Sequence, residues 1–268
     1  MNIYFKEIKA GLIMFLLWAA GLCALVFCGM TTFEGVSAGT GAVSEFLYNL
    51  ALTPAAFLGM ANVVVTEFPG FYTVLFFFSL TWASLYGVYL GFFAVSREDK
   101  DETYLQLAAG PRPKLTVIRS RILAAFTYLV LFTALFIVFS LLAIKRLDMG
   151  IVFSNETVLF SLSMLFVSSM YAAISAFIRA VIKKAGKTAL AGYLMFLATF
   201  LMGGLIDTME EPGSLRFLSP LKYYRPQDLL DFKPDVRYTV FLVGFSWILL
   251  IFVFRDRDPR SPPGTAKK

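Results

Sequence analysis

The residues best suited to chemistry lie in one short charged stretch, SREDKDETYLQLAAGPRPK, at positions 96–114. Four carboxylates stand in its first half, and Gly110 followed by Pro111 predicts the end of any helix that precedes them. Acids in the first turn of a helix are stabilised by its dipole. The pattern therefore predicts a short amphipathic helix, and it contains no set of residues that would carry out catalysis.

The side chains of this predicted helix divide by polarity. At about 100° per residue, Asp99, Glu102 and Thr103 fall on one side, while Leu105 and Leu107 are spread across the other. Two interpretations remain open on the pattern alone: a solvated connector between membrane helices, or a docking element for a cytoplasmic protein. In the second interpretation, the docking residues are Glu98, Asp99, Asp101, Glu102, Thr103, Tyr104, Leu105 and Leu107.

Other patterns that could carry catalysis are missing or incomplete. The chain has no histidine, which excludes Ser-His-Asp triads, HExxH zinc sites and histidine proton relays. The sequence KKAGKT at 183–188 ends like a phosphate-binding loop, but Val181 stands where that loop needs its first glycine. Cys23 and Cys28 lie inside one apolar block and are interpreted as packed thiols. We therefore expect no catalytic, cofactor-binding or metal-binding residues in this chain, and no enzyme activity.

The elements that must position the charged stretch are membrane helices. Of 268 residues, 58% are hydrophobic and only 16% are charged, whereas soluble domains average about 25% charged. Apolar blocks as long as the ~20 residues needed to cross the hydrocarbon core lie at roughly 11–30, 71–95, 122–144, 158–178, 189–206 and 238–254. The sequence predicts an all-α polytopic membrane protein with one transmembrane domain, 1–254, and a disordered cytoplasmic tail, 255–268.

Basic residues predict the orientation of the six spans. With both termini inside, 17 of the 24 lysines and arginines lie in the inner segments and seven in the outer ones. Because the inner loops of membrane proteins are enriched in these residues, we expect an N-in and C-in topology. The net charge of +6 then matches basic loops beside anionic membrane lipid and predicts no nucleic-acid partner.

Three further features accompany the spans. The start, MNIYFKEIKA, predicts an amphipathic interfacial helix, with a frayed beginning of the first membrane helix as the alternative. The outer segments 31–70 and 207–237 contain prolines and glycines that predict short outer-face helices. Gly87 and Gly91 have the GxxxG spacing of a close helix contact, either within the bundle or with a second copy.

Acidic residues are missing from the centres of the apolar blocks. Glu67, Glu156 and Asp207 lie at the predicted outer ends of spans. Carboxylates buried in the middle of a bilayer mark ion-coupled transport, so their positions disfavour a proton-driven or sodium-driven carrier and favour energy supplied by another chain. A lipid-like, peptide or amphiphilic cargo would fit such an apolar interior.

The run from Glu67 to Ala125 resembles the permease subunits of ABC-2-type ATP-binding-cassette transporters. In that family, acidic residues, Glu-x-Thr, an amphipathic turn, a proline and basic residues recur between the second and third helices. The stretches LYNLALTPAAFLGM and LSPLKYYRPQDLL are also similar to segments of these permeases, whereas GPRPK departs from the more usual Pro-small-Ser-Arg. The matching residues between the helices are Glu98, Asp101, Glu102, Thr103, Leu105, Pro111, Lys114 and Arg121.

The resemblance implies a six-helix subunit that forms a homo- or heterodimer in a bacterial plasma membrane and works with two separate ATPase subunits. ATP and Mg²⁺ would lie on those partners, and the acidic segment would be the coupling helix that sits in a groove of the ATPase. The predicted function is ATP-driven export of an amphiphilic, peptide or lipid-like substrate. The alternatives are a gradient-driven carrier or channel, and a sensor or scaffold that transports nothing.

Overall fold

The part of the chain that the structure describes is helical. The computed structural model describes residues 3–39, 45, 55, 57, 64–96, 114–146, 153–182, 185–209 and 213–256, and these residues contain no β-strand. Six of the helices are long and apolar enough to cross a membrane, which confirms an all-helical, multi-pass membrane protein. They are α1 (Ile3–Ser37), α2 (Phe68–Ser96), α3 (Lys114–Arg146), α4 (Phe153–Val181), α5 (Ala185–Asp207) and α6 (Val236–Asp256).

Every predicted apolar block lies inside one of these helices, and each helix extends past its block. Helix α3, for example, begins at Lys114 and ends at Arg146, whereas the predicted range was 122–144. Hydropathy marks only the part of a helix that crosses ~30 Å of hydrocarbon, while the backbone hydrogen bonds continue into the polar boundary. The sequence therefore located the six helices correctly and underestimated their lengths.

The N-terminal residues do not form the separate interfacial helix that the sequence predicted. Helix α1 runs without a break for 35 residues, which is about 52 Å at ~1.5 Å per residue. The first proline of the chain is Pro54, so no proline interrupts this helix. The hydroxyls of Tyr4 and Thr127 lie 3.0 Å apart and hold the first turns of α1 against α3. The segment is instead continuous with the first long apolar helix, as in the alternative, but its first turns are regular helix and not frayed.

Helices α2 and α4 form the centre of the bundle. In their most apolar stretches 72% and 61% of the residues are buried, against 22% for both α1 and α6. Contacts at one end join Glu7 of α1 to α3 and Ser96 of α2 to Arg179 of α4. We call this end of the bundle the N-terminal side and the opposite end the far side. An even number of crossings leaves both termini of the described chain on the N-terminal side.

Two glycines bring the backbones of α2 and α4 into contact. A Cβ atom on Gly87 would overlap with the carbonyl oxygen of Ser168, and one on Gly91 would overlap with the carbonyl group of Ala172. Ser175 Oγ donates a hydrogen bond to the carbonyl oxygen of Val88 at 2.8 Å. Small residues allow helices to pack this closely in a membrane. Gly87 and Gly91 thus form a packing seam with a neighbouring helix of the same bundle.

Short helical pieces connect α5 to α6 on the far side. Ser219 Oγ, between two of these pieces, donates a hydrogen bond to the carbonyl oxygen of Thr199 in α5 at 2.8 Å, so the connection packs on the bundle. Most of the other predicted outer segment, 31–70, and the tail from residue 257 onward lie outside the described residues. The pieces are Gly213–Leu218, Pro220–Lys222 and Pro226–Leu230.

Replacing Gly91 by alanine should destabilise the bundle, because the added methyl group would push α2 away from the backbone of α4. We expect the free energy of unfolding to fall by about 1–3 kcal/mol, measured by thermal or denaturant unfolding of the purified chain in detergent. Gly244→Ala is the matched control, since a Cβ at Gly244 of α6 meets no heavy atom within 4 Å. Equal stability of the two variants would contradict the close packing of α2 on α4.

Candidate functional site

The predicted docking residues lie between α2 and α3, and the structure describes both ends of that segment but not the segment itself. Helix α2 ends at Ser96 and helix α3 begins at Lys114. The eight residues proposed for docking, from Glu98 to Leu107, all fall outside the described residues. What the structure adds is how the two helix ends beside them are held.

A buried arginine holds the end of α2. Arg179 of α4 is only 1% exposed, and its Nε donates a hydrogen bond to Ser96 Oγ at 2.9 Å. Its Nη1 donates to the carbonyl oxygen of Ile182 at 2.9 Å, and the hydroxyl of Thr188 donates to the same oxygen at 3.0 Å. A buried guanidinium is costly unless its donors are bonded. Arg179 thereby joins the last residue of α2 to the connection between α4 and α5.

A second buried arginine holds the start of α3. Arg121 is 6% exposed, and its Nε lies 3.3 Å from Glu7 Oε1 of α1. About two turns further along α3, the Tyr128 hydroxyl donates a hydrogen bond to the carbonyl oxygen of Ile8. The ring of Tyr128 lies so close to α1 that a Cβ on Gly11 would be 2.7 Å from its Cε2 atom. The first turns of α3 are therefore attached to the first turns of α1.

A small apolar cluster lies at the same end of the bundle as these two arginines. Five buried side chains from α2, α3, α4 and α6 form it, and Arg119 of α3 lies over the ring of Phe254 in α6, 5.7 Å from its centre. Four helices therefore converge beside the ends of the charged segment. The side chains in the cluster are Val95, Ile118, Ala176, Ala180 and Val253.

Neither arginine contact was found from the sequence. Arg179 and Arg121 were counted there as basic residues that favour the inner side, which says nothing of burial. Arg179 is 83 positions from Ser96, and Arg121 is 114 positions from Glu7. No local spacing relates residues so far apart. The presence of arginine among apolar residues near a helix end was the only available signal.

The far side contains a different set of charged contacts. Lys222 Nζ forms an ion pair with Asp207 Oδ2 and lies 4.4 Å from the centre of the Phe77 ring. Arg216 is buried, and its guanidinium carbon lies 5.0 Å from the centre of the Tyr238 ring. Burial lowers the pKa of Arg216 from its ordinary value, and Arg225 nearby lowers it further. These contacts attach the connection between α5 and α6 to the ends of both helices.

Both sets of charged contacts attach helix ends and connections to neighbouring helices. In the ranges that the structure describes, no group of three or more His, Cys, Asp or Glu residues could hold a metal ion. The two buried arginines on the N-terminal side bond to a carbonyl oxygen, a hydroxyl and a carboxylate. They fix helix ends in place, and they could pass a displacement of the segment 97–113 to the bundle.

Comparisons of the chain with protein-family models, with curated proteins and with solved structures find no match. The interpretation of the segment between α2 and α3 therefore depends on its own residues and on the contacts at its two ends.

A double-mutant cycle tests whether Arg121 and Glu7 hold α3 on α1. We expect Glu7→Gln and Arg121→Gln each to lower the free energy of unfolding by about 1.5–3 kcal/mol. The double variant should lose less than the sum of the two, by about 1 kcal/mol, because the first change has already removed the charge-assisted contact. The measurement is denaturant unfolding of the purified chain in detergent.

The pair of Asp235 and Arg237, in which the arginine is exposed, supplies the control cycle. Arg237 Nη2 lies 2.8 Å from Asp235 Oδ2, but the arginine side chain is 86% exposed. Its hydrogen bonds lower the pKa of Asp235, yet solvent screens such pairs. Asp235→Asn and Arg237→Gln should show no measurable coupling. Additive losses at Glu7 and Arg121 would mean that their contact does not hold the two helices together.

Proposed function

We propose that the chain is the membrane subunit of an ATP-driven exporter of the ABC-2 type, working as a dimer with two separate ATPase subunits. One observation carries the proposal: a short acidic segment with the residue pattern of a coupling helix joins two helices whose adjoining ends are each held by a buried arginine. The resemblance supplies the role of the segment, and the contacts of Arg179 and Arg121 supply a route for movement.

The contacts that hold the end of α2 and the start of α3 would let the segment between them transmit movement to the bundle. Ser96 is bonded to Arg179 of α4 at 2.9 Å, and Arg121 is bonded to Glu7 of α1 at 3.3 Å. A protein that displaces the segment 97–113 therefore displaces α2 with α4 and α3 with α1. Close-packed protein interiors have low compressibility, so they transmit a displacement of one helix to its neighbours. The seam at Gly87 and Gly91 continues that coupling into the middle of the bundle.

The partner would supply the energy. In this proposal ATP and Mg²⁺ bind to the ATPase subunits, and this chain has no nucleotide site and is not an enzyme. Glu98, Asp99, Asp101 and Glu102 provide negative charge for the docking contact, and Leu105 and Leu107 provide its apolar part. Charge at such a contact sets which partner binds and in which orientation.

The orientation of the chain in the membrane follows from the proposed role of the segment 97–113. The N-terminal side would face the cytoplasm, where ATP is present, because the predicted inner segments carry 17 of the 24 basic residues. The location that the resemblance implies is a bacterial plasma membrane. The cargo would be amphiphilic, peptide or lipid-like, in keeping with spans that carry few charges away from their ends.

Charge reversal of the docking helix tests the proposal. The chain is expressed in its own host with a tag, purified through that tag in detergent, and any ATPase that co-purifies with it is identified and quantified by mass spectrometry. Glu98→Lys together with Glu102→Lys should reduce recovery of the ATPase at least about tenfold, which corresponds to ~1.4 kcal/mol of binding free energy. The physical reason is repulsion in a contact that the wild-type acids favour.

Two charge reversals on the far side form the matched control. Glu67 and Asp231 are both exposed and lie at the opposite end of the bundle, so Glu67→Lys with Asp231→Lys should leave the ATPase bound. Full retention of the ATPase by the Glu98 and Glu102 variant would contradict the docking role. Substrate transport by the chain alone would favour a gradient-driven carrier, and absence of any transport with the ATPase present would favour a sensor or scaffold.

A further inference from the structure

A groove runs between α1 and α3 toward the far side of the bundle. Its volume is about 300 Å³, and apolar side chains of both helices make up most of its wall. Two charged side chains, Glu34 and Arg146, also line it. The remaining lining residues are Val26, Phe27, Met30, Thr31, Phe139, Leu142 and Ala143.

The groove is open toward the surroundings of the bundle. Phe27 of α1 and Leu142 of α3, on its two walls, are each 59% exposed. Both residues belong to helices that cross the membrane, so the groove faces the hydrocarbon of one leaflet. A molecule already in that leaflet could enter sideways, without a separate opening and without passing through water.

Polar and apolar parts of the groove are arranged in order of depth. Val26 and Glu34 are eight residues apart on α1, about 12 Å along the helix axis. Arg146 is the last residue of α3, on the same side of the membrane as the C-terminal end of α1. The charges therefore lie at the boundary of the bilayer, and the apolar wall extends from them toward its middle, as an acyl chain does from its headgroup.

The two charges select the kind of headgroup. Arginine binds phosphate with paired hydrogen bonds, and a carboxylate pairs with an ammonium group. A headgroup with only negative charge would be repelled by Glu34, and a purely cationic amphiphile would be repelled by Arg146. Lys145 is adjacent in sequence but does not line the groove. A headgroup that carries both charges satisfies both residues.

From this arrangement we propose that the groove between α1 and α3 binds one zwitterionic phospholipid of the far-side leaflet. Its phosphate lies at Arg146, its ammonium group lies at Glu34, and one acyl chain lies along Val26, Met30 and Ala143. This binding does not rest on the proposed export function, since it requires only the groove, its two charges and a surrounding membrane.

Native mass spectrometry of the purified full chain in detergent tests the proposal. The chain is titrated separately with phosphatidylethanolamine, which is zwitterionic, and with phosphatidylglycerol, which is anionic. We expect one phosphatidylethanolamine to bind about fivefold more tightly than phosphatidylglycerol, since ~1 kcal/mol per exposed charge pair corresponds to that ratio. Arg146→Gln should weaken phosphatidylethanolamine binding about fivefold, and Glu34→Gln should remove the preference by strengthening phosphatidylglycerol binding.

A filled groove gives a test that does not depend on charge. Thr31 is exposed and lines the groove, so Thr31→Trp should block both lipids. Leu190→Trp, at a residue of α5 that is 60% exposed, is the control and should leave binding unchanged. Equal affinity of the wild-type chain for the two lipids, or unchanged affinities in the Arg146 and Glu34 variants, would overturn the proposal and indicate non-specific annular lipid only. The two charge variants alter exposed ends of helices, so the test does not depend on Thr31→Trp folding.

Discussion

The contact between the backbones of α2 and α4 is the constraint on which the rest of the structure depends. Without side chains at Gly87 and Gly91, the two helices approach until the backbone of one meets the backbone of the other. Apolar side chains gain little by leaving lipid for a protein interior, so close packing and hydrogen bonds must stabilise the bundle. The hydrogen bond from Ser175 to Val88 lies in this same contact. The remaining helices arrange themselves around a pair that cannot separate without losing both.

The buried arginines extend this rigid centre to the N-terminal side. Arg179 connects the end of α2 to the α4–α5 connection, and Arg121 connects α3 to α1. The segment 97–113 thus connects, in sequence, two helices that are each bonded to a neighbouring helix. This is the property that a motor-driven membrane subunit needs, because energy released outside the membrane must reach helices within it. The groove on the far side lies between α1 and α3, the second of the two coupled pairs.

The sequence was sufficient to predict the six helices, but it was not sufficient to predict which helices contact each other. The six spans could be predicted because the thickness of the hydrocarbon sets a minimum length of apolar chain. The spacing of Gly87 and Gly91 indicated a packing seam, but it could not identify α4 as the neighbour. The bond between Arg121 and Glu7 joins residues 114 positions apart, and only the folded bundle brings them together. The same bond holds the first turns of α1 on α3, and these turns are continuous with the rest of the helix.

The central claim is that a separate ATPase subunit binds the segment between α2 and α3. Site-specific photo-crosslinking tests it most directly: a benzoylphenylalanine is placed at Thr103, and the chain is co-expressed with a candidate ATPase subunit from the same organism. The account predicts a crosslinked product of chain and ATPase from Thr103, and none when the probe is placed at Ser37 on the far side. Crosslinks from Thr103 that stay within the chain itself, with the ATPase present and unlinked, would contradict the account.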